Sequence, residues 1–131
     1  MLKLSGLAGE EQNSKVKGVS EERGHFLMTS NEIELANSED VFIFHHPEGD
    51  TIKCSPGQFE AYENADGHSR VRYDAPTLFG SSGGAVLNSN FDLVAIHHAG
   101  DGKKPPEFNQ GIPIHLIKND IESQLADRRL S

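Results

Sequence analysis

Residues 80–100 read GSSGGAVLNSNFDLVAIHHAG, and this stretch decides the fold class. AVLN and FDLVAIHH are two apolar, β-prone runs separated by turn formers, Asn88, Ser89 and Asn90, so the segment reads as a β-hairpin. The pentapeptide ahead of it, Gly80-Ser81-Ser82-Gly83-Gly84, sets three glycines around two serines. Glycine reaches the backbone angles of tight turns, and small neighbours leave room for a carbonyl group beside a serine hydroxyl. Backbone N–H groups in such a turn can stabilise an oxyanion. By composition alone the pentapeptide is equally a plain Gly/Ser turn between two strands.

Outward from the hairpin the same pattern continues. Residues 41–47, VFIFHHP, read as a buried strand stopped by Pro47. TIKCS and QFEAYE read as two strands on either side of the breaker group Ser55-Pro56-Gly57. Asn64-Ala65-Asp66-Gly67 offers hairpin chemistry, and RVRYD alternates as the next strand. MLKLSGL and GHFLMTS are further candidate short strands, with a charged loop between them. QGIPIHLI begins as a strand. Ile117, Ile121 and Leu125 then recur at i, i+4 and i+8, which predicts a helix over residues 117–127 with that apolar face on the body of the domain. Many short strands with Gly/Pro turns make the chain all-β, an antiparallel barrel or sandwich with a C-terminal helix. The G-x-S-x-G elbow of α/β-hydrolases also fits the serine turn, but it needs a helix after the serine, and β-prone AVLN follows instead.

The 131 residues are one domain's worth, 35% hydrophobic and 24% charged, with apolar residues concentrated after position 40. This predicts a polar segment over residues 1–40 and a strand-dense domain over residues 41–131. The net charge of −8 argues against a nucleic-acid partner and against a basic membrane anchor. No apolar run approaches the roughly 18 residues of a membrane span, and no signal peptide is read near Met1. The single cysteine, Cys54, excludes an internal disulfide framework and fits a reducing, cytoplasmic setting. Neither His45-His46 nor His97-His98 has the i, i+4 spacing of a helical metal site. Neighbours on a strand point to opposite faces, so no metal and no cofactor is expected.

VFIFHHPEG, RYDAPTLFGSSGGAVLN, LVAIHHAG and NQGIPI occur in this order over residues 41–121. In this the chain resembles the second barrel of chymotrypsin-like serine proteases, within the trypsin-like group that includes glutamyl endopeptidases. The resemblance implies a six-stranded antiparallel barrel, the C-terminal half of a double barrel, acting as a serine-type endopeptidase domain on polypeptide substrates. It makes Ser82 the nucleophile and the N–H groups of Gly80 and Ser82 the oxyanion hole. The strand LVAIHHAG lines the specificity pocket and pairs with an extended substrate. His46 takes the place of a turn residue.

Two departures follow from the same resemblance. Ser81 stands where many trypsin-like enzymes have an Asp that pairs with a freed N-terminus. The family's general-base His and orienting Asp belong to a first barrel preceding the matched region, so that barrel, in cis or in trans, is an expected partner, residues 1–40 are expected to be a remnant of it and the inter-barrel linker, and the chain alone is expected to be inactive. The alternatives are an inactive protease-like module that binds peptides or proteins, and a truncated gene product. Pro76 occupies the place of the carboxylate that trypsin-type pockets use for Lys and Arg. Thr77 and His97 match the Thr and His with which glutamyl endopeptidases hold an acidic side chain, which implies an acidic residue before the scissile bond. A turn threonine and a satisfied strand histidine remain the competing reading.

Overall fold

The computed structural model describes residues 25–65, 68–104 and 106–130. Six strands, β1 (Asp40–His45), β2 (Lys53–Ala65), β3 (His68–Tyr73), β4 (Ala85–Leu87), β5 (Leu93–Gly100) and β6 (Asn109–Pro113), precede one helix, α1 (Ile114–Leu130). They close into an antiparallel barrel in the order β1-β2-β3-β6-β5-β4. The expected barrel with a C-terminal helix is the architecture found. The candidate strands MLKLSGL and part of GHFLMTS lie outside the described residues, and residues 25–39 contain no strand.

Alternation explains the closure. Along β1, Val41, Ile43 and His45 are buried, while Phe42 and Phe44 lie on the other face. Val41, Ile43, Tyr73, Val86 and Ala95 are wholly buried and form the interior with Phe59, Val71 and Val94. Each large aliphatic side chain so buried contributes about 1.5–3 kcal/mol. A second cluster, Leu87, Leu93 and Ile114 with Phe44 and Ile117, lies where the start of α1 covers the barrel. Register shifts in β2, β4–β5 and β5–β6 add the local twist that a closed sheet needs.

Two expectations are corrected. Ser55-Pro56-Gly57 does not separate two strands; β2 runs through it for 13 residues. Phe59 N–H donates to the Glu39 carbonyl, which sets the directly bonded pairs of the β1–β2 ladder at odd positions and leaves Pro56 between them, opposite Phe42. On the other side the β2–β3 ladder begins only at Phe59, so the missing proline N–H breaks no ladder bond. Gly57 is needed there for another reason, since a Cβ would sit 2.4 Å from the Ala75 backbone. The helix is the second correction. It starts at Ile114, directly after β6, and among the described residues its apolar contact with the barrel's second cluster is made by Ile114 and Ile117. Ile121 and Leu125 are 41% and 40% exposed. The period was legible, but the barrel surface ends after the first helical turn.

Candidate active site

Two turns sharing Ser81 build the serine site. Ser81 N–H donates to the Leu78 carbonyl (3.1 Å), and Gly84 N–H donates to the Ser81 carbonyl (3.0 Å). Gly80 and Gly83 are the third residues of these turns and have φ of 88° and 87°, values that L side chains adopt only with strain. Gly80 also lies against the turn at Pro47–Gly49, where a Cβ would be 3.0 Å from the His46 carbonyl oxygen. Glu48 N–H donates to the Phe79 carbonyl and ties that turn to the serine loop.

The two serines are placed oppositely. Ser81 is 1% exposed. Its Oγ accepts from Leu78 N–H (3.1 Å) and lies 2.6 Å from His45 Nδ1, while His45 Nε2 lies 2.9 Å from Ser55 Oγ. The buried Ser81 hydroxyl needs an acceptor, so it donates to Nδ1. The His45 proton then sits on Nε2 and points to Ser55. Burial, with Lys53 and His46 nearby, lowers the His45 pKa and keeps the ring neutral. Sequence reasoning missed this trio. VFIF is apolar at every position, so nothing in the sequence marks His45 rather than His46 as the inward residue. His46 is exposed and turns its Nδ1 to the Asp50 carbonyl (3.0 Å).

Ser82 is exposed, and its hydroxyl donates to the His98 carbonyl (3.1 Å). A carbonyl cannot take the proton, so this contact parks the hydroxyl without activating it. Among the described residues the N–H groups of Gly80 and Ser82 have no acceptor. Both residues line a cleft of about 600 Å³, with Thr77, His97, Ala99 and Gly100 among its other walls. The structure thus brings Gly80, Ser82, Thr77 and His97 to one cleft.

His97 is 4% exposed and His98 is exposed, as strand alternation requires. His97 Nδ1 is 2.7 Å from the hydroxyl of Tyr73. Burial, with His45 and His98 nearby, lowers the His97 pKa to about 4. Burial pushes the Tyr73 phenol upward, so it stays protonated. Thr77 is also buried, and its hydroxyl donates to Asn109 Oδ1 (2.6 Å). Asn109 Nδ2 donates in turn to the Ala75 carbonyl (2.7 Å), which fixes the amide orientation. Further along β5, Ala99 and Gly100 pair with β6 only, because β4 meets β5 no further along than Ile96.

A closed six-stranded antiparallel barrel followed by one C-terminal helix is a chymotrypsin-like fold. The sequence matches the trypsin-like peptidase domain family over residues 15–96, well over half its length. The chain belongs to that family. Among solved structures, the HtrA-type protease AlgW with a tripeptide is 20% identical with a TM-score of 0.65, over 83% of this chain and 37% of that one. The serine endoprotease from Yersinia pestis is 19% identical with a TM-score of 0.66, over 85% and 38%. A protease from M. tuberculosis in its active form is 13% identical with a TM-score of 0.61, over 84% and 49%. The chain spans between about a third and a half of the length of these structures.

Proposed function

We propose that residues 41–131 are the nucleophile-bearing barrel of a serine endopeptidase, and that residues 1–40 are a polar segment made of a remnant of the first barrel and the linker between the barrels. The observation that carries this is Ser82, exposed between Gly80 and Gly83 at a cleft where two backbone N–H groups have no acceptor among the described residues. Ser82 attacks the scissile carbonyl, and the N–H groups of Gly80 and Ser82 hold the developing oxyanion. An extended substrate lies along Ala99 and Gly100, which have strand neighbours on one side only. AlgW was crystallised with a tripeptide, which supports a polypeptide ligand for this cleft as well. With Pro76 in place of a pocket carboxylate and His97 in the wall, the residue before the scissile bond is acidic.

Among the described residues no imidazole is hydrogen-bonded to the Ser82 hydroxyl. The base and its orienting carboxylate therefore come from another barrel, in the same protein or from a separate chain. The same observation favours a second reading, in which this barrel by itself binds peptides without cleaving them. Fluorophosphonate labelling and peptide hydrolysis separate the two. Supplying a His- and Asp-bearing first barrel should produce both labelling and cleavage after acidic residues, with Ser82→Ala lowering turnover at least about 10³-fold. No labelling in the combined protein refutes the enzymatic reading. Robust hydrolysis by the chain alone, abolished by Ser82→Ala, shows instead that a histidine of this sequence is the base.

A further inference from the structure

We infer that the cleft recognises a carboxylate through the ammonium of Lys104 and the Nε2–H of His97, that Tyr73 is the positioning residue for that ring, and that Thr77 donates nothing to the ligand. This rests on the reading of the cleft as the pocket for the substrate side chain before the scissile bond.

The proton inventory of the cleft carries the argument. The Thr77 hydroxyl gives its only proton to Asn109 Oδ1, and the Asn109 amide cannot turn over without losing its bond to the Ala75 carbonyl. What Thr77 has left is lone pairs, which repel a carboxylate. His97 is the opposite case. The Tyr73 hydroxyl is wholly buried and has no other partner among the described residues. A buried hydroxyl keeps its proton engaged, so Tyr73 donates to His97 Nδ1. The neutral ring then carries its own proton on Nε2, for which the described residues offer no acceptor. The wall histidine is a fixed donor without charge.

The charge comes from the loop between β5 and β6. Lys103 and Lys104 both line the cleft. Lys103 is taken by Glu107 at 2.6 Å. Lys104 has no acidic partner among the described residues, and its Nζ stands 5.6 Å from the centroid of Phe79, a ring 81% exposed at the same cleft. Glu48 also lines the cleft, and its negative charge opposes the preference, so its removal should strengthen acid selection.

The test reads binding by the chain as it stands. Acetyl-Ala-Ala-Glu-amide and its isosteric Gln counterpart are titrated at low ionic strength, with cleft amides and the His97 ring nitrogens followed by NMR. The free protein should show the His97 proton on Nε2, and Tyr73→Phe should mix the tautomers. The Glu peptide should bind roughly fivefold tighter than the Gln peptide, a preference that salt weakens. Lys104→Met should bring the two to parity, Glu48→Gln should widen the gap, and Thr77→Val should leave it in place. A His97 proton on Nδ1, a preference that survives Lys104→Met, or one that disappears in Thr77→Val overturns the inference. Equal binding of both peptides at the cleft overturns the acid selection and leaves the cleft reading standing. No perturbation by either peptide overturns both.

Discussion

Acidification should destabilise the barrel through its two buried imidazoles. Burial holds His97 near pKa 4, against an ordinary 6.5, and lowers His45 in the same direction. Both rings bind a proton more readily in the unfolded chain, so unfolding takes up protons over this range. Their contribution is complete above about pH 6.5 and is lost as the pH falls toward 4. For one group with the two His97 values, linkage gives about 2 kcal/mol lost between pH 7 and pH 5. Solvent in the cleft screens one side of the ring, which brings the expected loss to about 1–2 kcal/mol. With urea slopes of roughly 1–3 kcal/mol/M for small domains, the midpoint should drop by about 0.5–1 M. Far-UV circular dichroism in urea at the two pH values measures it. His97→Gln keeps a polar partner for Tyr73 but cannot titrate, so it should retain only the smaller dependence that comes from His45. An unchanged wild-type midpoint, or a His97→Gln protein with the full drop, refutes the reasoning.

Two glycines should respond differently to alanine. At Gly83 a Cβ meets nothing within 4 Å, so Gly83→Ala costs only the strain of φ 87°, about 1 kcal/mol by urea melt. At Gly57 the Cβ would fall on the Ala75 backbone, so Gly57→Ala should cost about 2 kcal/mol or more. The Tyr62 hydroxyl accepts from Leu35 N–H (2.8 Å) and donates to the Ile33 carbonyl (3.2 Å). Tyr62→Phe should lower stability by about 1 kcal/mol and speed protease nicking between residues 25 and 39.

Much of this was legible because some residue types leave few options. Gly80 and Gly83 announce a backbone that only glycine adopts easily, and the serine turn sits where they do. His97 and His98 are neighbours on a strand, so their opposite facing could be read from the sequence, whereas VFIF is apolar at every position and does not say which face of β1 turns inward. The His45–Ser81–Ser55 trio was not legible, because its members come from β1, the serine loop and β2 and meet only when the barrel closes. The proton commitment of Thr77 was hidden for the same reason, since Asn109 lies 32 residues away. Pro56 misled because breaker status belongs to a residue type, whereas its cost depends on which ladder position it occupies.

Helix α1 has one supported end. Ile114 and Ile117 anchor its first turn, and from Asp120 onward the residues are exposed. A helical segment of about ten exposed residues is marginal in water, because nucleation is costly and little buried apolar surface offsets it. Backbone amides in the anchored turn should exchange with solvent slowly, with the barrel, while protection fades along the helix toward Arg128 and Arg129. Ile121 and Leu125 on that fading half would gain order only from a surface brought to them, and the helix would lengthen its protected part by as many turns as that surface covers.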